Sequence, residues 1–349
     1  MKIRSGMRAG LAIALVPLMT TACVRTPGSD NGDLDATGTS GASFPVTVQD
    51  CGGRPTTFDA APEKVVTANL AALELVIRLG KADRLAGTGW AAGIATLPDD
   101  VRGIAQSTPV LSTGAIPKEV LLTAGADAYI DAWGSMQLMG GDGMTEQDFA
   151  DAGMSHVFLA SSACASTLSA ARTDLDDVYR DMQSIGAVLD ASPAAADLIE
   201  QMRATVAAVA RGNPAPDQRP SVFYYSPDAT SQGMTTVGGK QIANAVYELA
   251  GARNVFADDT TSVKSVSWED VIAADPDYIQ IATRRKTSAE EGAADFAAAI
   301  DTLRNDPRAR DMRAVRAGRF IDLGAEETAL PGIENADAVA TIAEAVRGR

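Results

Sequence analysis

Histidine and cysteine are scarce in this chain, which limits the kinds of site that it can build. Its 349 residues include one histidine, His156, and three cysteines. Zinc and manganese sites usually take several His, Cys or carboxylate ligands at short spacing, and the sequence shows no such grouping. His156 lies in MSHVFLA, a predicted strand, where a lone histidine is more often a packed residue than a ligand. We therefore expect no metal site formed by the protein alone.

Motifs of enzymes that use α/β scaffolds are also missing. The sequence has no G-x-G-x-x-G, no P-loop and no G-x-S-x-G elbow, and GMTTVGGKQ lacks the spacing of a Walker motif. Basic residues number 30 against 45 acidic ones, which gives a net charge of −15. Such a chain repels the phosphate backbone of nucleic acids. We expect a protein that is not an enzyme, has no intrinsic cofactor and does not bind nucleic acid.

Residues 1–23 have the order of an export signal. Basic residues come first, the apolar run LAIALVPLMT follows, and TAC ends the segment at Cys23. The run is too short to remain in a bilayer as a spanning helix, and no other segment has a run long enough to cross a membrane. A cysteine after small residues resembles the bacterial lipobox, in which it is acylated, although Thr20 stands where leucine is usual. The sequence predicts a lipoprotein anchored through Cys23 to the outer face of the cytoplasmic membrane; ordinary cleavage that leaves a free cysteine is the alternative.

Export also affects how the next residues are interpreted. Residues 24–43, VRTPGSDNGDLDATGTSGAS, hold almost nothing apolar to bury and are predicted to form a disordered tether. The remaining cysteines, Cys51 and Cys164, would meet an oxidising environment, which favours a disulfide between them. Two free thiols are the alternative. The bridge would close a long loop and contribute about 4 kcal/mol in the chain-entropy model.

The chain contains an internal repeat. IPKEVLLTAGADAYIDA at 116–132 aligns without a gap to VSWEDVIAADPDYIQIA at 266–282. Glu119 falls on Glu269 and Asp127 falls on Asp277, and each stretch is typical of a short helix, a turn and an apolar strand. The two aspartates are interpreted as structural turn residues, because Asp before a strand commonly bonds its own backbone.

Strands and helices alternate on both sides of one long helical stretch, which predicts an α/β protein with parallel sheets. We expect two Rossmann-like lobes, an N-terminal lobe at 44–167 and a C-terminal lobe at 191–349, joined by a single helix at 168–190. In such sheets, ligands bind beyond the carboxyl ends of the strands, and a cleft between two lobes is the usual pocket.

The candidate ligand-binding residues follow the predicted strands. Arg284 and Arg285 form a positive patch that suggests an anionic ligand group, with an ordinary solvated loop as the alternative. Adjacent Tyr224 and Tyr225 on a strand face opposite ways, so at most one is expected to reach the ligand. Lys240 stands where a helix begins and could help to hold an anion. The full set is Asn69, Trp90, Trp133, Tyr224, Tyr225, Lys240, Arg284 and Arg285.

Three segments give the chain a resemblance to a known family. They are PEKVVTANLAALELVIRLGKADRLAGT, VSWEDVIAADPDYI and GIENADAVATIAEAV. The chain from about Phe44 onward resembles class III substrate-binding proteins of ABC importers, which deliver ferric siderophores, haem and corrinoids. The spacing of Cys51 and Cys164 resembles that of an actinobacterial branch of this family.

The resemblance implies a monomer that loads a permease dimer driven by its ATPase. One glutamate on each lobe would dock on arginines of the permease, and the matching positions are Glu119 and Glu269; the alternative is two first-turn residues favoured by the helix dipole. We expect a ferric siderophore as the ligand. Haem and corrinoids are the alternatives, and haem ranks lower because it requires an axial ligand. A partner that reports ligand occupancy to a membrane receptor is the alternative of a different class.

Overall fold

Two parallel β-sheets organise the chain. The computed structural model describes residues 44–132, 144–229 and 234–348. The predicted signal, the tether, Cys23 and Trp133 lie outside these ranges, so the predictions on them stay predictions. Ser40–Arg349 make one compact unit. Within the described ranges, no helix has both the length and the apolar character to span a bilayer.

The N-terminal lobe begins with an antiparallel hairpin of β1 (Val46–Gln49) and β2 (Pro55–Phe58). Its main sheet is parallel, in the order β4-β3-β5-β6, and helices surround it. The strands are β3 (Val65–Thr67), β4 (Leu85–Thr88), β5 (Ala128–Asp131) and β6 (Ser155–Phe158); the helices are α1 (Leu70–Arg78), α2 (Asp99–Ser107), α3 (Lys118–Thr123), α4 (Glu146–Asp151) and α5 (Ala160–Ala163).

The C-terminal lobe has the same plan, with α6 (Asp176–Val188) and α7 (Ser192–Ala210) leading into it. Its main sheet is parallel, in the order β12-β11-β7-β9, and β8 pairs with β10 as a separate hairpin. The strands are β7 (Ser221–Tyr225), β8 (Thr235–Val237), β9 (Arg253–Asn254), β10 (Val263–Ser265), β11 (Tyr278–Ile281) and β12 (Phe320–Asp322); the helices are α8 (Ile242–Ala250), α9 (Trp268–Ala274), α10 (Ala289–Asn305), α11 (Arg313–Ala317), α12 (Ala325–Ala329) and α13 (Glu334–Arg347).

The two lobes repeat one topology. In each main sheet, the strand that comes first in the chain lies between the second and the third, and the fourth lies at an edge. The chain leaves the first and third strands in opposite directions, so each sheet has a switch point between them, where ligands of such folds bind. The predicted α/β class with two Rossmann-like lobes is confirmed.

The repeated aspartates hold equivalent strands in register. Asp127 Oδ2 accepts hydrogen bonds from the backbone N–H of Glu63 (2.9 Å) and Lys64 (2.8 Å), directly before β3. Asp277 Oδ2 accepts one from the N–H of Ser221 (2.9 Å), the first residue of β7. Both aspartates are structural, as expected, but each bonds the start of the neighbouring strand rather than its own turn.

The connecting helix is shorter than the predicted 168–190, because α6 spans only Asp176–Val188. The preceding segment is held by both lobes through Arg172. Asn244 Nδ2 of α8 donates to the Arg172 carbonyl oxygen (2.8 Å), and Arg172 Nη2 donates to the Ser161 carbonyl oxygen of the N-terminal lobe (2.7 Å). A backbone engaged in this way by tertiary partners does not continue the helix toward its N-terminus.

One apolar core runs through both lobes. Buried side chains of β5, β6, α6, β7 and α13 belong to a single hydrophobic cluster, so α6 is packed between the lobes along its buried face. Close-packed interiors transmit strain and deform little. The lobes are therefore tied by packing as well as by the chain. Members of this cluster from each part are Ile130, Val157, Val178, Met182, Ile185, Val222 and Ile342.

The predicted disulfide is present. Cys51, in the turn between β1 and β2, is bonded to Cys164, which follows α5, with their Cα atoms 5.1 Å apart. The bridge closes a sequence separation of 113 residues. It fastens the first hairpin to the end of the N-terminal lobe.

Replacing both bridge residues, Cys51→Ser with Cys164→Ser, should lower the free energy of unfolding by about 4–5 kcal/mol, because the unfolded chain regains loop entropy. Urea unfolding of the double variant and the wild type checks the value. The wild type in reductant should match the variant. Equal unfolding midpoints in all samples would contradict a stabilising bridge.

Candidate functional site

A cleft lies between loops that follow strands of the two sheets. A cavity of about 220 Å³ has walls from both lobes, and a second cavity of about 190 Å³ lies in the C-terminal lobe. Arg284 and Glu326 line both cavities, so the two are parts of one cleft. The wall shared between the lobes includes Leu70, Trp90, Gly93, Arg284, Arg285 and Glu326.

The loop after β4 and the loop after β11 touch across this cleft. A Cβ atom at position 93 would lie 2.2 Å from the Cβ of Arg285. The two loops can therefore approach this closely only if residue 93 has no side chain. This close approach explains why glycine occupies position 93. It also fixes the distance between the lobes on this side of the cleft.

Trp90 is held in a costly conformation at the cleft. Its φ is 46°, a left-handed value that bulky residues rarely adopt, and its N–H donates to the Gly114 carbonyl oxygen (2.8 Å). The Arg284 guanidinium lies over the indole ring, 4.9 Å from its centroid. Residues kept in such conformations cluster at functional sites. Trp90 and Arg284 form a flat, cationic wall of the cleft.

Arg285 joins the lobes instead of facing a ligand freely. Its side chain is 10% exposed, and Nη1 donates to the Thr96 carbonyl oxygen of the other lobe (2.9 Å). Nη2 is paired with Glu334 and lies 3.4 Å from a Glu327 carboxylate oxygen. The positive charge predicted for the cleft at this position is therefore offset by two carboxylates.

The rest of the basic patch is partly neutralised as well. Lys286 Nζ lies 2.8 Å from a carboxylate oxygen of Asp295 and 3.2 Å from one of Asp228. Among the described residues, no carboxylate pairs with the exposed guanidinium of Arg284. Of the three cations in RRK, Arg284 alone is thus placed to meet an anionic or polar group of a ligand.

The adjacent tyrosines lie on opposite faces of β7, as predicted from strand alternation. Tyr224 lines the cleft, and burial raises the pKa of its hydroxyl, which stays neutral. Tyr225 belongs to the core on the other face, with its ring centroid 6.4 Å from that of Trp268. Tyr224 is therefore the tyrosine that a ligand can reach.

Two other candidates have local partners. Asn69 is buried, and its Oδ1 accepts from the N–H of Ala72 (3.0 Å), so it caps the N-terminus of α1. Lys240 Nζ donates to the Ser166 carbonyl oxygen (3.2 Å). Neither is among the residues that line the two cavities. Trp133 lies outside the described residues.

Sequence reasoning missed the wall supplied by α12 and the β8–β10 hairpin. Glu326 lines both cavities, its Oε2 accepts from the Arg285 N–H (3.1 Å), and burial raises the pKa of its carboxyl. Gln241, Val237 and Val263 line the cavity of the C-terminal lobe. Glu326 comes soon after β12, and this position beyond a strand is a signal in the sequence that it shares with the other candidates.

His156 is a packed residue, as its strand position suggested. Its ring lies 4.2 Å from that of Phe149, Nδ1 is 2.8 Å from Glu146 Oε1, and Nε2 is 3.2 Å from Asp131 Oδ2. Across the described ranges, no group of three or more His, Cys, Asp and Glu side chains is arranged to hold a metal ion.

Glu119 and Glu269 occupy equivalent exposed positions. Each is the second residue of its helix, α3 or α9. Within the part of the chain that the structure describes, neither carboxylate has a hydrogen bond or ion pair. The neighbouring cation of each is occupied elsewhere, since Lys118 pairs with Asp148 (2.8 Å) and Arg308 with Asp306 (2.7 Å). Both carboxylates are available to a partner.

Comparison with known proteins agrees with this architecture. Residues 65–327 match the family described as periplasmic binding protein, and the chain belongs to this family. Its fold is that of the class III members, which confirms the resemblance found in the sequence. Membership implies a solute-binding protein located outside the cytoplasm.

Individual relatives cover most of the chain. A cobalamin-binding protein of Halobacterium salinarum is 28% identical over 273 residues, which are 76% of this chain and 66% of that protein, slightly under two thirds of its length. A periplasmic binding protein from Veillonella parvula matches with TM-score 0.73 and 24% identity over 89% of this chain and 99% of that one. A structure from Saccharomonospora viridis, described as an ABC-type Fe³⁺-hydroxamate transport system, matches with TM-score 0.70 and 25% identity. The match covers 86% of this chain and 99% of that one.

A buried carboxyl group lies where α1 of the N-terminal lobe faces α13. Glu74 is 2% exposed and accepts a hydrogen bond from Arg78 Nε (2.7 Å). Burial, and then the nearby negative charge of Glu334, raise the pKa of Glu74 from 4.5 to about 7. The folded protein therefore favours the protonated form of Glu74 more than the unfolded chain does.

This shift predicts a pH-dependent stability. Below about pH 4.5 the group is protonated in both states; as the pH rises toward 7, the unfolded chain loses the proton first and stability falls. Glu74→Gln removes this loss, so it should match the wild type at low pH and exceed it by up to about 3 kcal/mol above pH 7. Urea unfolding across pH, with Glu200→Gln as an exposed control, checks this. Parallel curves for wild type and Glu74→Gln would refute it.

Proposed function

We propose that this protein captures a small metal chelate in its cleft and delivers it to an ABC importer. The family supports the binding role, and the relative described as part of an Fe³⁺-hydroxamate transport system supports the importer. The observation that carries the proposal is the wall of Trp90 and Arg284, in which a tryptophan with a left-handed backbone lies under a guanidinium in a cleft between two lobes.

The charges of the cleft favour a chelate with little net charge. Arg285 and Lys286 are paired with carboxylates, so the described cleft offers one cation without an ion-pair partner and no strong positive field. The iron core of a ferric trihydroxamate carries no net charge, whereas that of a ferric tricatecholate is strongly anionic. We infer a ferric siderophore of the hydroxamate type, whose iron is already saturated by the chelator.

A corrinoid is the second candidate. The relative from Halobacterium salinarum is described as a cobalamin-binding protein. A corrinoid, like a ferric hydroxamate, has a large surface, few charges and a metal held by its own ligands. Haem fits less well, because its two propionates would meet only Arg284 as a cation without a carboxylate partner in the described cleft.

Intrinsic fluorescence of the compact unit Ser40–Arg349 tests the ligand class. A ferric trihydroxamate should quench it saturably, because the chelate would lie against Trp90, while the iron-free form and a ferric tricatecholate should not. Trp90→Phe should reduce the quenching strongly, and Trp268→Phe, which changes the indole beside Tyr225, should preserve it.

Calorimetry separates binding from optical artefacts in the same titrations. Saturable binding of cyanocobalamin alone would keep the importer and replace the siderophore with a corrinoid. Tight binding of the tricatecholate would contradict the argument from charge. Absence of binding for every chelate, haem included, would refute the proposed cargo.

We further propose that Glu119 and Glu269 dock the loaded protein on two equivalent permease subunits. Their helices occur at the same point of the repeat, both carboxylates are exposed, and a carboxylate can bind a guanidinium through two hydrogen bonds. Two equivalent carboxylates on one chain match a partner with two equivalent subunits. The partner would couple release of the ligand to its ATPase.

The double change Glu119→Ala with Glu269→Ala should abolish uptake of the identified chelate and leave its binding intact, because the cleft is untouched. Stability should change by no more than about 0.5 kcal/mol, as expected for exposed sites. Uptake in a host that lacks its own copy is the measurement, with exposed Glu200→Ala as the control. Normal uptake by the double variant would remove these residues from docking.

We also propose that acylated Cys23 keeps the protein at the outer face of the membrane, as the lipobox-like TAC suggests. Cys23→Ser should then move the protein from the membrane fraction to the soluble extracytoplasmic fraction, because the acyl chains are lost. Fractionation followed by immunoblotting measures this. A variant that stays with the membrane would contradict the anchor.

A further inference from the structure

The helices that carry Glu119 and Glu269 share a second exposed feature. Leu122, three residues after Glu119, is 39% exposed, and Ile272, three residues after Glu269, is 43% exposed. Other large aliphatic side chains are exposed in the described ranges, but they do not occur at matching positions of the repeat. They are Ile104, Val110 and Val263.

The exposure is not a failure to fill the core. In each helix the preceding residue, Leu121 or Val271, is fully buried and supplies the apolar contact to its lobe. Each short helix therefore has a fully buried aliphatic side chain and, directly after it, one that is exposed. The same division in both lobes indicates a shared requirement at the surface.

The exposed aliphatic residue lies beside the exposed carboxylate. Residues three apart on a helix are neighbours on one face, with Cβ atoms about 5–6 Å apart. Glu119 with Leu122, and Glu269 with Ile272, thus form two copies of a small surface with one negative and one apolar group. An anionic lipid surface would repel both carboxylates, so a protein with cationic groups is the better match.

We infer that Leu122 and Ile272 belong to the surface that docks on the importer, where each packs against an apolar side chain next to the guanidinium that binds the glutamate. The inference rests on the proposed docking function and adds two residues to it. The partner is a membrane protein with two equivalent subunits, because a surface repeated once per lobe in the same register is complementary to a surface that is itself repeated. Apolar contacts beside a charged pair also exclude water from it.

Binding to membranes tests the inference without a known ligand. Labelled Ser40–Arg349, which is one compact unit, is titrated against right-side-out membrane vesicles of a host strain lacking the protein. Liposomes of the same lipids serve as the control for lipid binding. Leu122→Ser with Ile272→Ser should weaken saturable binding about tenfold or more, through lost apolar burial. Ile104→Ser is the matched control, because Ile104 is exposed to a similar degree outside the repeat.

The reference variant Glu119→Ala with Glu269→Ala separates the possible results. If it weakens binding while Leu122→Ser with Ile272→Ser binds like the wild type, the aliphatic pair is not part of the surface and the proposed docking stands. If the wild type shows no saturable binding, or binds the liposomes equally well, both ideas fail. Equal weakening by Ile104→Ser would make the effect unspecific and overturn the inference. So would a wild-type dimer that the aliphatic double variant turns into a monomer, since the occupant would then be a second copy.

Discussion

The packing of both lobes around one apolar core is the constraint on which the rest of this structure depends. Helix α6 contributes its buried face to a cluster that includes strands of each sheet, and Arg172 fastens the segment before it to both lobes. Hinge closure concentrates backbone changes in a few flexible residues, and a connection packed in this way offers little freedom. The cleft is therefore expected to exist before the ligand arrives.

Electrostatics at the cleft follow from that fixed geometry. Because the loops after β4 and β11 meet at Gly93, Arg285 reaches a backbone carbonyl of the opposite lobe, and carboxylates of its own lobe surround its guanidinium. Its charge then stabilises the contact between the lobes and is not available to a ligand. Arg284, one residue earlier, faces Trp90 and keeps its guanidinium at the cleft. Neighbouring arginines thus have different roles, and the field that a ligand meets is weaker than the sequence suggests.

Much of this arrangement was predictable from local patterns. Strand alternation predicted that Tyr224 and Tyr225 lie on different faces of the sheet. The repeat aligned Glu119 with Glu269 in sequence and predicted two similar sheets. Partners distant in sequence were not predictable. The residues around Arg285 do not indicate that its ion-pair partner is Glu334. Asn69 follows a strand, as a ligand-binding residue would, but its side chain caps α1. The start of α6 was misplaced for the same reason, since its backbone partners belong to other elements.

The duplication of one structural unit explains why both the sheets and the exposed surface contain residues at equivalent positions of the two lobes. A unit of helix, turn and strand that occurs once in each lobe gives equivalent aspartates that hold the sheets and equivalent glutamates that face outward. The aspartates are engaged by the backbone of the sheets and serve folding, whereas the exposed glutamates can bind a two-fold partner. Such a partner gains from the repeat only if the distance between the two lobes is constant, which the shared core provides.

Pulsed electron spin resonance measures that constancy most directly. Spin labels at exposed Ile104 on α2 and Asp301 on α10 report the distance between the lobes, and labels at Asp301 and Glu344 report a distance within one lobe. The account predicts a single distance distribution between the lobes, as narrow as the one within the lobe, in the ligand-free protein. A broad or two-peaked distribution for the pair between the lobes would show that they move independently and would contradict the preformed cleft.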